Sequence, residues 1–207
     1  MKTVIIDYGM GNISSIRNML RYIGYSSKLT AEEDEILSAD RLILPGVGNF
    51  GKAMENINNS GLKGVLDTAV LEKRIPIMGI CLGMQLMLSW SEEGDCEGLG
   101  WISGKVRKFE LETKEYKIPH MGWDYIKPQC KSDLLTELPD NPRFYFVHSY
   151  HAECDIATDS IAVTDYGGDF TSIIGRDNIF GVQFHPEKSH KFGMKLFENF
   201  MRISDVS

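Results

Sequence analysis

The sequence predicts an α/β fold: a mostly parallel central sheet with helices on both faces, and an additional antiparallel sheet region in the second half. Three observations predict it. Over the first 90 residues, short apolar runs rich in branched residues alternate with segments of helical period. Each of three such runs ends in a glycine-bearing turn, at Tyr8–Asn12, Pro45–Gly48 and Gly79–Gly83. After Trp90 the texture changes to shorter strand-like runs separated by polar turns.

In order, Lys2 to Asp7 reads as the first strand, followed by the loop Tyr8-Gly-Met-Gly-Asn12. Asn12 is placed to cap a helix with Ile13, Ile16, Leu20 and Ile23 on one face, closed by Gly24. A strand, a glycine loop and a helix also invite a dinucleotide-binding reading. Gly9-x-Gly11 lacks the third glycine and the acidic partner, so that reading gains little. Arg41-Leu-Ile-Leu44 is a buried strand that turns sharply at Pro45-Gly46-Val47-Gly48, where two glycines leave the intervening peptide free to reorient. Leu62, Val65, Leu66, Ala69 and Val70 mark a helix leading to the strand that begins at Pro76.

Residues 76–90 organise the chain. Their first half is a buried strand and their second half, through Trp90, reads as a helix, with Cys81 at the changeover in a G-x-C-x-G frame. This is the thiol form of a nucleophile elbow, in which glycines let the backbone close tightly beneath an exposed side chain. The N-terminus of the helix aims free N–H groups at the sulfur, and the N–H of Leu82 is placed as an oxyanion donor. Further strands are expected at Ile102–Phe109, Trp123–Lys127, Arg143–Val147, Ile161–Asp165, Phe170–Ile174 and Asn178–Phe184. A last helix from about Ser189 turns Phe192, Leu196, Phe197 and Phe200 inward.

At 207 residues the chain is read as one domain, 1–207, of ordinary globular composition with 43% hydrophobic and 25% charged residues. A net charge of −7 argues against general binding to nucleic acid or membrane surfaces. No apolar run approaches spanning length, and the N-terminus carries no signal-peptide pattern. Cysteines 81, 96, 130 and 154 form no C-x-x-C pair, which points to reduced thiols and a cytoplasmic setting.

His185 and Glu187 stand two apart at the end of a strand with Pro186 between them. In extended chain that spacing puts both side chains on one face, giving the base and orienting carboxylate that a cysteine nucleophile needs. His148 and His151, three apart on a strand-like segment, diverge, so no metal site and no cofactor is expected.

Gly79-Ile-Cys81-Leu-Gly-Met-Gln85 together with Phe184-His-Pro-Glu187 resembles the triad-type, class I glutamine amidotransferases. Asp7–Asn12, Leu44–Gly48, Pro119–Trp123, Tyr145–Tyr150 and His185–Ser189 narrow the resemblance to the glutaminase subunits of imidazole glycerol phosphate synthase. The resemblance implies a three-layer, flavodoxin-like sheet and hydrolysis of glutamine to glutamate and ammonia through a thioester on Cys81. His185 and Glu187 would complete the triad, and Leu82 with the Val47–Gly48 peptide would form the oxyanion hole. Gly48, Gln85, Glu93 and the Ser149–Tyr150 backbone would hold the glutamine. Asn12, Trp123, Tyr145, His148 and Lys188 would lie near a (β/α)8-barrel synthase partner, a heterodimer that takes up the ammonia in histidine biosynthesis. His190 departs from the small or polar residue expected there, and the sequence attaches no consequence to it.

Three other readings compete. A paralogous glutaminase feeding a sugar amidotransferase in surface-glycan biosynthesis would keep the same catalytic residues. A cysteine hydrolase acting alone is disfavoured by Gln85 and His148-Ser-Tyr150, which suit a small amino-acid pocket. A binding subunit with a relic site is disfavoured by the intact Cys81, His185 and Glu187.

Overall fold

The computed structural model describes residues 1–111 and 116–203. The elements of the first half are β1 (Thr3–Ile6), α1 (Ile13–Tyr22), β2 (Ser27–Thr30), α2 (Glu33–Leu37), β3 (Arg41–Leu44), α3 (Phe50–Asn59), α4 (Leu62–Asp67), β4 (Ile77–Ile80) and α5 (Leu82–Leu86). There follow β5 (Leu88–Ser91), β6 (Cys96–Glu97), β7 (Ile102–Lys108), β8 (His120–Tyr125), β9 (Lys127–Pro128) and β10 (Arg143–His148). The chain continues through β11 (Tyr150–Cys154), β12 (Ser160–Asp165), β13 (Asp169–Arg176), β14 (Ile179–Val182) and α6 (His190–Arg202).

Strands β2-β1-β3-β4-β14 run parallel and form the centre of the main sheet. From β14 the sheet continues through antiparallel β13, β11 and β7 to β5 and β6, while β8 and β10 pair separately as a two-stranded sheet. β1, β3 and β4 are buried along their whole length because helices cover both faces. Val4, Ile6, Leu42, Leu44 and Ile77 pack against α2 to α5, through Ile36, Phe50, Ile57, Leu66 and Leu86. The alternate residues Ile5, Ile43, Met78 and Ile80 pack with Ile16 and Leu20 of α1 and Leu196, Phe197 and Phe200 of α6. The predicted mostly parallel three-layer sheet with its antiparallel extension is therefore present.

Several elements differ from the expectation. β2, α2, α3 and β11 were not foreseen; α2 carries one buried apolar residue, Ile36, and β2 is a partly exposed edge strand. Asn12 occupies the N-cap of α1, but its side chain makes no capping bond. Asn49 does cap α3, accepting from the Lys52 N–H at 3.0 Å. The helix after Cys81 stops at Leu86 rather than reaching Trp90. The Leu86, Met87 and Leu88 carbonyls accept instead from the N–H groups of Leu99, Ile102 and Gly100 at 2.7, 3.0 and 3.1 Å. This returning segment captures the carbonyls and draws residues 88–91 into a strand. Its approach needs a glycine, since a Cβ on Gly98 would stand 2.2 Å from the Leu88 carbonyl oxygen.

The tightest backbone approach lies where α5 crosses the end of β3. A Cβ on Gly83 would fall 1.9 Å from the Leu44 oxygen, and one on Gly46 would fall 2.5 Å from the Gly83 nitrogen. Both obstacles are backbone atoms that cannot swing aside. Gly83→Ala is therefore expected to destabilise by about 3 kcal/mol or more. Urea unfolding of the variant checks this; a loss under 1 kcal/mol would show that the elbow can shift away from β3.

Candidate active site

Cys81 stands between β4 and α5 with φ +55° and ψ −110°, a conformation that side chains rarely adopt. The strain is held by its neighbours: Cys81 N–H donates to the Val182 carbonyl at 2.8 Å, and Gly79 and Gly83 allow the following turn to close against the strand. α5 has only five residues, so its macrodipole is short and the free N–H groups of its first turn are its main contribution. Leu82 is the first of these.

The base comes from the end of β14. His185 Nδ1 lies 2.8 Å from Glu187 Oε1, and both side chains are almost wholly buried. β10 fixes the turn between them. His185 N–H donates to the Tyr145 carbonyl at 2.8 Å, Tyr145 N–H donates to Ser189 Oγ at 3.0 Å, and the Ser189 hydroxyl donates back to the His185 carbonyl at 2.7 Å. The strand end is a 3-10 turn over Pro186–Lys188, not extended chain, so local winding rather than strand alternation brings Glu187 round to His185.

A cavity of about 320 Å³ opens in front of Cys81. It is lined by Val47, Gly48, Leu82, Gln85, Glu93, His148, Ser149, Tyr150 and His185, so the predicted catalytic, oxyanion and substrate residues converge, with Glu187 behind His185. Pro119 and Val147 also line it and were not foreseen. The volume is at the small end for ligand sites and suits a molecule the size of an amino acid.

Its polar wall is largely pre-engaged. Gln85 Nε2 donates to the Tyr150 carbonyl at 3.0 Å and to Gln183 Oε1 at 2.9 Å. The Ser149 carbonyl accepts from the Phe109 N–H at 3.1 Å, and Glu93 Oε2 accepts from the Phe50 N–H at the start of α3 at 2.9 Å. On the other side Tyr8 donates its hydroxyl to the Pro45 carbonyl at 2.5 Å, tethering the Pro45–Gly48 turn, in which Gly48 has φ +104°. Gln183 escaped the sequence reading, although a polar residue between Val182 and Phe184 in an apolar strand was its signal.

Of the residues expected near a partner, Trp123 is 38% exposed, Lys188 is exposed, and Tyr145 and Asn12 are half-buried. Lys188 Nζ sits over the Tyr145 ring at 5.6 Å. His148 is different: it is buried in the cavity wall and presents nothing to the outer surface. His190 has a place after all, stacked parallel to Trp123 at 5.4 Å. Met121, Trp123 and Tyr125 alternate outward along β8 and form an exposed apolar stripe. Among the described residues no group of three or more potential metal ligands converges, and no helix is long and apolar enough to cross a membrane.

Burial alone would push the His185 pKa down. Its interaction with the Cys81 sulfur, then its hydrogen bond to Glu187, outweigh burial and raise it to about 9. Nε2 has no hydrogen-bond partner, so the influence of the sulfur is electrostatic rather than a formed bond. His148 goes the other way, lowered to about 3, chiefly by burial and against its bond to the Tyr150 carbonyl. Its Nδ1–H makes that bond at 2.8 Å, so its Nε2 accepts from His120 Nδ1 at 2.9 Å. Completing the 2.9 Å link from His120 Nε2 to Asp124 requires a second proton on His120, which burial opposes and Asp124 favours.

Residues 4–203 match the family described as glutamine amidotransferase class-I. The chain is 51% identical to imidazole glycerol phosphate synthase subunit HisH 2 of Methanococcus maripaludis, covering 96% of this chain and 98% of that one. It is 46% identical to subunit HisH of Leptospira interrogans, again over 96% and 98%. Among solved structures it is similar to PurLQS from Thermotoga maritima, with a TM-score of 0.71, 16% identity and 97% of each chain covered. It is also similar to the glutaminase domain of Trypanosoma brucei CTPS, with a TM-score of 0.66, 16% identity, and 99% and 95% covered. At those identities the solved structures speak to fold alone.

The charge states predict an acid limb. The pKa of His148 is depressed in the folded chain, so its contribution is fully present above the unfolded value of about 6.5 and is lost as pH falls toward 3. Between pH 7 and pH 5 this one residue should remove roughly 2 kcal/mol of stability. Urea midpoints at the two pH values check it, and in His148→Gln the fall should shrink by that amount.

Proposed function

The chain belongs to the class-I glutamine amidotransferase family, and we propose that it is the glutaminase subunit of an imidazole glycerol phosphate synthase. It hydrolyses glutamine and hands the ammonia to a synthase partner. The observation that carries this reading is the convergence, in one amino-acid-sized cavity, of an elbow cysteine at positive φ and a buried His185 paired with Glu187. The high identity to synthase subunits over nearly the whole chain supplies the substrate and pathway.

In the proposed mechanism, His185 takes the thiol proton of Cys81 as the sulfur attacks the carboxamide carbon of glutamine. The resulting oxyanion is held by the Leu82 N–H and the peptide N–H between Val47 and Gly48. His185 gives its proton to the amine, the C–N bond breaks, and ammonia leaves behind a thioester. His185, now neutral, takes a proton from water, whose oxygen attacks the thioester. Collapse of that intermediate expels the sulfur, which takes the proton back from His185, and releases glutamate. Glu187 holds the imidazole through Nδ1 and offsets its charge. Gln85 Oε1, the Glu93 carboxylate and Gly48 orient the amino-acid end. Asn12, Trp123, Tyr145 and Lys188 lie on the partner side, and the exposed stripe of β8 suits docking against a (β/α)8 barrel.

Cys81→Ala should abolish glutamine-dependent synthesis, by a thousandfold or more. Partner binding and synthesis from excess ammonium salt at high pH should survive. Wild-type-like glutamine turnover in this variant would sink the assignment. His185→Ala should be nearly as damaging and Glu187→Gln less so, because the imidazole moves the proton while the carboxylate orients it. A more severe loss from Glu187→Gln would overturn that division.

Control is expected to lie in the Pro45–Gly48 turn. If the Val47–Gly48 N–H points away in the resting state, Leu82 alone serves the oxyanion, a deficit of roughly a hundredfold or more. Glutaminase rates should then rise from the isolated chain to the complex and again with the synthase ligand, mostly in kcat. An isolated chain as fast as the liganded complex would mean that the hole is preformed.

A further inference from the structure

We propose that Gln183 is a hydrogen-bond donor to the Cys81 sulfur, its amide held in the donating orientation by a relay through Gln85 to the Tyr150 carbonyl. This rests on the reading of Cys81 as the nucleophile and adds a second polar group beside His185 that acts on the reacting atom.

Gln183 is fully buried, between Val182 and Phe184 at the carboxyl end of β14. A buried amide is costly unless its polar atoms are engaged. Its backbone N–H donates to the Ser172 carbonyl at 2.9 Å. Its side chain has two partners: Oε1 lies 2.9 Å from Gln85 Nε2, and Nε2 lies 3.8 Å from Cys81 Sγ. Chemistry fixes which end faces which. The Tyr150 carbonyl can only accept, so Gln85 must turn its NH2 toward it, at 3.0 Å. The same NH2 then faces Gln183, which must answer with its oxygen. That leaves the Gln183 NH2, and no acceptor, toward the sulfur. Flipping either amide would set oxygen against oxygen or NH2 against NH2 at about 3 Å. The anchor is itself secured, because His148 Nδ1–H donates to the same Tyr150 carbonyl at 2.8 Å.

A donor aimed at sulfur favours negative charge there. That charge is present when the sulfur attacks the carboxamide and again when the thioester collapses and sulfur departs. A residue that merely fills space in β14 would have no such effect on the charge of the sulfur. The relay also fixes Gln85: both hydrogens of its Nε2 are committed, leaving Oε1 as the remaining polar atom of its side chain.

The test is the pH dependence of Cys81 alkylation by iodoacetamide, followed by peptide mass spectrometry so that Cys96, Cys130 and Cys154 are counted separately. Gln183→Met keeps the volume and removes the donor; Gln183→Glu keeps the shape and offers an acceptor. In Gln183→Met the pH of half-maximal alkylation should rise by about one unit, and in Gln183→Glu by more. In the complex, kcat for glutamine hydrolysis at pH 7 should fall about 10- to 100-fold, with KM changed far less. Thermal melts establish that each variant is folded. Should neither fold, Gln85→Met frees the Gln183 amide without removing it and should raise the same midpoint. An unchanged midpoint in any folded variant of the three overturns the proposal. A shifted midpoint in a protein that turns over no glutamine would leave the donor in place and overturn the functional reading instead.

Discussion

The site depends on a backbone contact that admits no side chain. α5 begins so close to the end of β3 that the Leu44 carbonyl occupies the space where Gly83 would carry a Cβ, and Gly46 meets the Gly83 nitrogen in the same way. Two consequences follow from the one contact. It lets the chain turn through the strained Cys81 conformation and still bury Leu82, Met84 and Leu86. It also sets the Pro45–Gly48 turn against the elbow, so the two places that can offer N–H groups to an oxyanion are neighbours by construction. Parallel strand order does the rest. β3, β4 and β14 are adjacent, and their carboxyl ends bring that turn, Cys81 and His185 to one edge of the sheet.

Around this edge the protein buries an unusual number of polar side chains. Gln85, Gln183, His148, His120, His185 and Glu187 are all largely removed from solvent. The interior tolerates them because most of their atoms are paired, and the pairings are directional. One acceptor, the Tyr150 carbonyl, decides the tautomer of His148 and the orientation of Gln85, and through Gln85 that of Gln183. The exceptions are as telling. His185 Nε2 and Glu187 Oε2 are buried without partners. A ring nitrogen with no competing partner is what a proton carrier requires.

The central sheet and the cluster of Cys81, His185 and Glu187 were legible in the sequence because each rests on local pattern. Leu42–Leu44 is apolar throughout and buried throughout; Gly79, Cys81 and Gly83 declare the elbow by spacing alone. What was not legible depended on contacts remote in sequence. The helix after Cys81 reads smoothly to Trp90, and only the hydrogen bonds from Leu99, Gly100 and Ile102 end it at Leu86. β2 and α2 are short, and α2 exposes Glu33 and Asp34 with one buried apolar anchor, so periodicity had little to register. His148 was expected near a partner, and the structure places it in the cavity wall instead. Its burial is decided by Phe109 and Phe170, which pack on it from β7's end and from β13.

His190 shows how a departure from pattern can be absorbed. It begins α6 at φ +46°, a strained start for a non-glycine residue, and its ring lies parallel to the Trp123 indole. Arg143 stands over the same indole at 5.7 Å, and Tyr145 meets it edge-on. Trp123 is therefore held by three neighbours while remaining 38% exposed. β8 connects this surface to the interior by alternation: Trp123 faces out, and the adjacent Asp124 reaches His120, whose other nitrogen bonds His148 in the cavity wall. A single strand thus carries both the outward stripe and the first link of the buried polar chain. From that strand the hydrogen bonds run on through His120 and His148 to the Tyr150 carbonyl, the acceptor that also orients Gln85.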